Sequence, residues 1–216
     1  MSVAQFQSAL AETVDRRRLE ISAVKRVATA FENGTLQSTA YLMAVPMLYA
    51  HWEGFVKEAV QMYIEYIENL SLSPGDAHPT VFSFMLRKKV QGLIAQQSVE
   101  RMADFATWVI ANATSPLSFS DKNIETRSNL SFDALKDICD SVRVDVSRIK
   151  SEKKKIDALV HRRNNAAHTG RAQQVDREKI EGDAVLVMSL ITTFEAILNE
   201  SVVQESFRRE ANQNVG

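Results

Sequence analysis

A long apolar period runs through residues 38–70, whose sequence is STAYLMAVPMLYAHWEGFVKEAVQMYIEYIENL. Its apolar residues recur at steps of three and four, which places them on one broad face of a helix. They are Leu42, Val45, Leu48, Trp52, Phe55, Val56, Ala59, Tyr63, Ile64 and Ile67. We therefore predict a long helix from about Ser38 to Leu70 that buries this face, with Pro46 as a candidate kink.

Further helical segments flank this one. Apolar residues between 3 and 31 also follow helical steps, and the pair Asn33-Gly34, which tolerates the left-handed conformation, is predicted to end that helix. Residues 71–76 contain a proline and a glycine and are predicted to form a loop. Two more helices are expected at 80–96 and 99–112.

The C-terminal half begins with a segment of a different kind. Residues 113–130 have neither helical nor strand period, so we expect a long irregular connection or a lid there. Three residues with short polar side chains, Ser131, Ser151 and Asp176, are each placed to cap a following helix. The second of these helices is predicted to stop at Gly170, and the third to continue through Phe207.

Composition agrees with a helical protein. Hydrophobic residues make up 45% of the 216 residues, enough for a sizeable core, while seven glycines and four prolines are few for a β-sandwich or barrel. We therefore predict an all-α bundle of about five to seven helices with one long irregular connection, forming a single domain over residues 1–216.

Other bulk properties restrict the setting. Cys139 is the only cysteine, which excludes an intrachain disulfide and a cysteine-based zinc cluster and is typical of a reducing cytosol; we expect it to be buried rather than reactive. The N-terminal residues 1–20 lack the apolar stretch of a signal peptide, and the uncharged run 184–194 is too short to span a bilayer. A cytoplasmic protein without a membrane segment is expected.

One short tract combines groups that suit phosphodiester chemistry: Arg162-Arg163-Asn164-Asn165-Ala166-Ala167-His168. Arginine grips a phosphate with a planar fork of donors, and histidine transfers protons near neutral pH. The net charge of the chain is −1, yet residues 150–171 hold seven basic residues against two acidic ones, a local net charge of +5. This excess indicates either a phosphate-binding groove or a solvated helix face.

Helical geometry separates the residues of this tract. Asn164 and His168 are four positions apart and share a face, whereas Arg163 and His168 differ by about 140°. Three arrangements would bring an arginine and His168 together. Arg163 reaches round the helix, the helix frays near Ala167, or the arginine comes from a second copy of the chain across a dimer axis.

The pattern Arg163-Asn164-x-x-x-His168 resembles the R-x4-6-H motif of HEPN domains, in which a polar residue commonly follows the arginine. Residues 51–57 (HWEGFVK), 129–132 (NLSF) and 155–168 (KIDALVHRRNNAAH) are similar to the MAE_28990/MAE_18760-like branch, and the likeness extends over roughly residues 41–198. Relatives often have Ala-His-Gly, whereas Thr169 precedes the glycine here.

This resemblance implies a small α-helical bundle that dimerises and acts as a metal-independent endoribonuclease of a toxin–antitoxin or anti-phage defence system. It implies that Arg163 holds and polarises the scissile phosphate, that His168 transfers protons, and that Asn164 orients His168 or the phosphate. The 2′-OH of RNA would be the nucleophile. RNA, a second copy of the chain, and an antitoxin or neighbouring defence protein are the expected partners.

Additional residues are candidates for RNA binding or support. Those expected to bind RNA are Arg162, Lys153, Lys154, Lys155 and Arg171. Arg162 is also an alternative to Arg163 as the phosphate ligand. Glu53 and His161 are candidate supporting residues, while Trp52 is expected to pack in the core. The histidines lack the carboxylate or histidine spacing of a metal site, and no nucleotide-binding loop is present, so we expect no metal and no cofactor.

Three function classes remain open from the sequence. The first is the HEPN ribonuclease. The second is a non-catalytic HEPN module that binds RNA, nucleotides or proteins. The third, a plain helical oligomerisation domain, leaves the +5 cluster at residues 150–171 unexplained.

Overall fold

The computed structural model describes residues 1–32, 34–95, 98–119, 122, 124, 126, 129–169 and 175–210, with the backbone alone given for His168 and Thr169. Over these residues the chain forms seven α-helices, one 3-10 helix and no β-strand. The helices are α1 (Val3–Ala28), α2 (Thr35–Asn69), α3 (Pro79–Ala95), α4 (Val99–Ala111), α5 (Phe132–Ser141), the 3-10 helix (Ser147–Glu152), α6 (Lys153–Thr169) and α7 (Arg177–Val203). The all-α prediction is confirmed.

Helix α2 lies at the centre of the bundle, because it packs against α1, α6 and α7. The Trp52 and Phe55 rings of α2 are fully buried and meet Phe194 of α7 edge to face, with ring centroids 6.2 and 6.3 Å apart. Full burial of a side chain of this kind stabilises the fold by about 1.5–3 kcal/mol. Trp52 is thus a core residue, as predicted.

The boundary between α1 and α2 differs from the prediction. Helix α1 ends at Ala28, before the predicted stop at Asn33-Gly34, and Asn33 lies outside the described residues. Gly34 directly precedes the first turn of α2, and its φ of 90° lies in the left-handed region that residues with a side chain rarely adopt. The glycine therefore serves the start of α2 rather than the end of α1.

Two of the three predicted helix caps are confirmed. Ser131 Oγ accepts a hydrogen bond from the Ala134 amide at 3.2 Å, and Asp176 Oδ1 accepts one from the Lys179 amide at 2.8 Å. The third prediction was wrong, because Ser151 lies inside the 3-10 helix. That helix continues directly into α6, and so the extended residue that a side-chain cap requires does not occur at Ser151.

The C-terminal end of α7 lies earlier in the chain than predicted. The helix ends at Val203, whereas we expected it to continue through Phe207. Phe207 is nevertheless fully buried, and its carbonyl accepts a hydrogen bond from the His78 amide at 2.8 Å. The apolar period at this end therefore reflects burial of a turn that packs on the bundle.

The connection between α4 and α5 (residues 112–131) is irregular at its described residues, as predicted. The Leu117 amide donates to the Leu72 carbonyl at 2.7 Å, just beyond the C-terminal end of α2. At the other end of the connection, the Leu130 amide donates to the Tyr49 hydroxyl at 2.6 Å, in the N-terminal half of α2. The described residues of the α4–α5 connection therefore run antiparallel to α2 and are hydrogen-bonded to it at both ends of the connection.

Helix α7 is long and apolar enough to cross a membrane by length and composition, and half of its most apolar window is buried. It packs against α1 and α2, where Phe194 and Leu198 are fully buried. Core helices of soluble proteins satisfy the same criteria of length and hydropathy. We attribute the hydropathy of α7 to its position in the core.

Cys139 offers a chemical test of this core. The side chain is fully buried on α5, and burial raises the pKa of its thiol. Because the thiolate is the nucleophile, we expect Cys139 to be inert to an aromatic disulfide reagent in the folded protein and to react within seconds in denaturant. Rapid reaction of the native protein at pH 8 would contradict the packing of α5.

Candidate functional site

Helix α6 carries the basic tract and stays helical through it. Its bounds, Lys153–Thr169, include all of Arg163-Asn164-x-x-x-His168, so the backbone is helical and not frayed near Ala167 in this structure. Successive residues of a helix differ in direction by about 100°. Arg162 and Arg163 therefore point towards different neighbouring helices.

Arg162 is held by a buried carboxylate of α7. Its Nε donates to Asp183 Oδ2 at 3.0 Å, and its Nη2 donates to Asp183 Oδ1, so the contact is bidentate. The side chains of Asp183 and Arg162 are 6% and 21% exposed. Burial raises the pKa of Asp183, and the Arg162 guanidinium opposes this shift. A phosphate would have to replace this carboxylate in order to bind Arg162, which favours Arg163 as the phosphate ligand.

Arg163 points towards α2, where it contacts Tyr49 and Glu53. Its Cζ lies 4.3 Å from the centroid of the Tyr49 ring, and its Nη2 lies 3.9 Å from Glu53 Oε2. Its Nη1 donates to Asn164 Oδ1 at 2.9 Å. The Arg163 side chain is 23% exposed, so the guanidinium is partly accessible from solvent. An arginine on an aromatic face keeps its charge and has a restricted orientation.

Glu53 has two further partners besides Arg163. Thr126 Oγ1 donates to Glu53 Oε1, and Lys57 Nζ lies 3.1 Å from the same oxygen. The Glu53 side chain is 16% exposed, and a carboxylate that is this buried requires such partners. The contact with Arg163 favours the supporting role that was predicted for Glu53.

Asn164 and His168 lie one turn apart on the same face of the regular helix α6. Because Asn164 Oδ1 accepts a hydrogen bond from Arg163, the amide is linked to the arginine of the motif. The side chain of His168 lies outside the described residues, as does Arg171. His161 is exposed, and its Nε2 lies 3.0 Å from Asn165 Nδ2.

Carboxylates offset part of the predicted basic cluster. Lys153 Nζ donates to both carboxylate oxygens of Asp133, at 2.6 and 2.8 Å, and this hydrogen bonding raises the pKa of Lys153. Lys155 Nζ lies 2.8 Å from Glu152 Oε2. These pairs are at the surface, where water screens an ion pair, so an RNA phosphate could replace either carboxylate at little cost.

Lys154 lies at the cavity of about 660 Å³ between α6 and α7. Positive and negative side chains line this cavity in equal number: Lys154, Lys155, Arg162 and Lys179 against Glu152, Asp176, Glu178 and Asp183. The cavity is therefore not a surface of one charge sign, unlike the groove that the local excess of basic residues predicted.

The three segments that carry the HEPN resemblance meet around Arg163. Residues 51–57 provide Glu53, and the segment 129–132 is joined to α6 by a hydrogen bond from the Phe132 amide to Asp157 Oδ1 at 3.1 Å. The motif itself lies on α6. Segments that are far apart in sequence thus form one continuous region of the bundle.

Gly54, in the first of these segments, faces α1 instead of the arginine site. A Cβ at this position would lie 3.1 Å from Arg17 Nη2, which is closer than packing normally allows. The same Arg17 lies 3.3 Å from His51 Nδ1 and 3.2 Å from Glu58 Oε2. Gly54 therefore allows an arginine of α1 to pack across α2.

Three residues that hold the two arginines or support their partners were not predicted from the sequence. Tyr49 lies one turn before Glu53 on α2, so their spacing was a usable signal. Asp183 is a carboxylate within the apolar stripe of α7, between Ile180 and Val187, and a charge in such a stripe indicates a buried pair. Thr126 had no comparable signal, because it belongs to the irregular connection.

The described residues contain no group of three or more His, Cys, Asp or Glu side chains that could hold a metal ion. The guanidinium of Arg163 lies beside a phenol, a carboxylate and an amide. Such a set can bind an anion through the guanidinium and orient it through the surrounding groups.

An all-α bundle with Arg-Asn-x-x-x-His on a helix that packs against its central helix defines a HEPN-type module. A family model described as MAE_28990-like HEPN matches residues 6–207. The chain belongs to this family. Comparisons with curated proteins and with solved structures gave no match.

Proposed function

We propose that this protein is a metal-independent endoribonuclease of the HEPN type. The observation that supports the proposal best is the setting of Arg163, whose partly exposed guanidinium is held by Tyr49, Glu53 and Asn164 on the helix that also carries His168. A planar guanidinium suits the paired oxygens of a phosphate, and a histidine suits proton transfer at neutral pH.

In the proposed reaction the 2′-oxygen of RNA attacks the adjacent phosphorus, and the bond from phosphorus to the 5′-oxygen breaks. The 2′-OH loses a proton and the leaving 5′-oxygen gains one, so that the products are a 2′,3′-cyclic phosphate and a 5′-OH. Arg163 stabilises the charge on the phosphate oxygens, His168 transfers a proton, and Asn164 orients His168 or the phosphate.

Within this proposal, the helical geometry favours a homodimeric site. Because α6 is regular through Thr169, Arg163 and His168 of one chain differ in direction by about 140°. The reaction also has two proton transfers, whereas each chain supplies one motif histidine. A pair of α6 helices related by a two-fold axis would bring two arginines and two histidines to one cleft.

The biological setting that we propose is that of a toxin or anti-phage effector in the cytoplasm, with RNA as its substrate. An RNA-cutting enzyme that needs no metal cannot be controlled through metal supply, so an antitoxin or neighbouring defence protein is the expected partner. The RNA-binding residues of this proposal include Lys153, Lys154, Lys155 and Arg171. A non-catalytic binding module is the alternative if cleavage fails.

We expect the purified protein to cleave single-stranded or structured RNA in the presence of EDTA and to leave 2′,3′-cyclic phosphate ends. An oligonucleotide with 2′-deoxyribose at every position should not be cut, because it lacks the nucleophile. Product ends are identified by mass spectrometry, and the oligomeric state is measured by sedimentation.

The blank for this assay is a His168→Ala variant purified in parallel, and His78→Ala is the matched histidine control. General acid–base catalysis contributes about 10²- to 10⁴-fold, so His168→Ala should lose at least about 99% of the activity while His78→Ala keeps it. Equal cleavage by wild type and His168→Ala would identify a contaminating ribonuclease and refute the proposal.

A further inference from the structure

Tyr49 is fixed at both ends of its side chain. The residue is 2% exposed on α2, its ring lies beneath the Arg163 guanidinium at 4.3 Å, and its hydroxyl accepts a hydrogen bond from the Leu130 amide at 2.6 Å. The ring therefore joins the arginine of the motif to the C-terminal end of the α4–α5 connection.

The same connection also reaches the second α2 group beside Arg163. Thr126 is 4% exposed, and its hydroxyl donates to the Glu53 carboxylate, which lies 3.9 Å from Arg163. Tyr49 and Glu53, which contact the guanidinium from α2, are thus both hydrogen-bonded to the α4–α5 connection. Its other end is fastened by the Leu117 amide and by Phe119, whose amide donates to Glu68 at 3.0 Å.

We infer that Tyr49 is a positioning residue for Arg163, and that Leu130 and Thr126 of the α4–α5 connection fix Tyr49 and Glu53 so that the guanidinium has one orientation before RNA binds. This inference rests on the proposed ribonuclease function. It assigns Thr126 and Leu130 a structural role in the site. An arginine has several rotatable bonds, and restricting them in advance lowers the cost of gripping a phosphate in the productive geometry.

Tyr49 itself takes no part in proton transfer. Burial raises the pKa of its phenol, and its hydroxyl faces a backbone amide of the connection. Its replacement should therefore change the rate without changing the pH dependence of cleavage. A residue that acted as a general acid or base would remove one limb of the pH profile when replaced.

The test compares Tyr49→Leu, which loses the aromatic face, with Tyr49→Phe, which keeps it and loses the hydrogen bond to Leu130. Tyr41→Leu is the matched control, because Tyr41 is a buried tyrosine on the same helix whose hydroxyl has no hydrogen-bond partner among the described residues. The measurements are kcat, KM, the pH profile, the thermal midpoint, and the NMR shift of the Arg163 Nε proton, which the ring current of Tyr49 displaces.

We expect Tyr49→Leu to lower kcat by about 10- to 100-fold with the pH profile unchanged, since small misplacement of a positioned group costs up to about 10²-fold. Tyr49→Phe should keep the shifted Arg163 proton and show a smaller, several-fold loss of kcat, because its ring still stacks on the guanidinium but is no longer held by Leu130. Tyr41→Leu should lose stability to a similar extent as Tyr49→Leu but keep wild-type kcat below its thermal midpoint.

The possible failures are distinguishable. Activity of Tyr49→Leu within twofold of wild type overturns the inference and leaves the ribonuclease function standing, as does an equal loss of kcat in Tyr41→Leu. If the wild-type protein does not cleave RNA, the proposed ribonuclease function itself is refuted. If Tyr49→Leu does not fold, the Thr126→Val variant provides the test, because it removes the hydrogen bond to Glu53 with little change of volume. We expect Thr126→Val to lower kcat several-fold, and an unchanged kcat overturns the inference.

Discussion

An Arg163→Ala variant is expected to cleave RNA at least about 100-fold more slowly than wild type, because loss of one group that stabilises transition-state charge costs about 10²- to 10³-fold. The physical reason is the place of Arg163, which sits on the Tyr49 ring beside Glu53 and is still 23% exposed. The effect should fall mainly on kcat, measured by single-turnover cleavage.

Arg163→Lys separates charge from geometry in this experiment. Lysine keeps a positive charge next to Glu53 but lacks the planar fork and stacks less well on an aromatic ring. We therefore expect this variant to fold normally and to retain no more than about a tenth of wild-type activity. Full activity of Arg163→Lys would mean that charge suffices and that the bidentate phosphate contact is wrong.

Arg148→Ala is the matched control for the arginine variants. Arg148 also forms an ion pair, with Glu200 Oε1 at 2.7 Å, but it lies on the surface with its side chain 47% exposed. Its loss should leave cleavage unchanged and cost about 0–1 kcal/mol of stability. If Arg148→Ala and Arg163→Ala lose activity to the same extent, the loss reflects general charge and not a specific site.

Asp183→Ala is expected to lower the free energy of unfolding by about 3 kcal/mol, the lower end of the cost of breaking a buried ion pair, because Arg162 remains 21% exposed. For a chain of this length this corresponds to a fall of about 6–12 °C in the thermal midpoint. Urea denaturation followed by circular dichroism gives the free energy of unfolding from the urea midpoint and the slope of the transition. A thermal scan gives the thermal midpoint.

The double variant Arg162→Met/Asp183→Leu tests the reason for that loss. Replacing both charges by apolar side chains of similar size leaves no unpaired buried charge, so stability should return to within about 1–2 kcal/mol of wild type. If the double variant is as unstable as Asp183→Ala, packing at the α6–α7 contact and not electrostatics explains the effect. Glu200→Ala, which breaks the surface pair with Arg148, provides the baseline for an exposed contact.

Much of the fold was predictable because it depends on local patterns. The apolar periods placed α2, α3, α4 and α7 close to their observed bounds, since a helix that buries one face repeats its apolar residues every three or four positions. Ser131 and Asp176 were correctly identified as caps, because a cap is a contact between residues three apart. Ser151 has the same side-chain chemistry, but its cap was prevented by the 3-10 helix that contains it.

The site was predictable only in part. The motif placed Arg163, Asn164 and His168 on one helix, and α6 confirms that they share it. Which of the two adjacent arginines is available for a phosphate was left open, because both fit the motif spacing. The answer depends on what lies beside each one: Asp183 of α7 holds Arg162 with two hydrogen bonds, while Arg163 lies on Tyr49 with a more distant carboxylate.

The sequence by itself therefore determined the helical class, the family and the helix that carries the motif, because periodicity, caps and motif spacing are relations between residues close together in the chain. Only the tertiary structure decided that Arg162 is committed to Asp183, and that Tyr49, Glu53 and Thr126 surround or support Arg163. Those partners lie 21 to more than 100 positions away, and a step of one residue on α6 turns a side chain by about 100°, so helix packing selects the neighbour of each arginine.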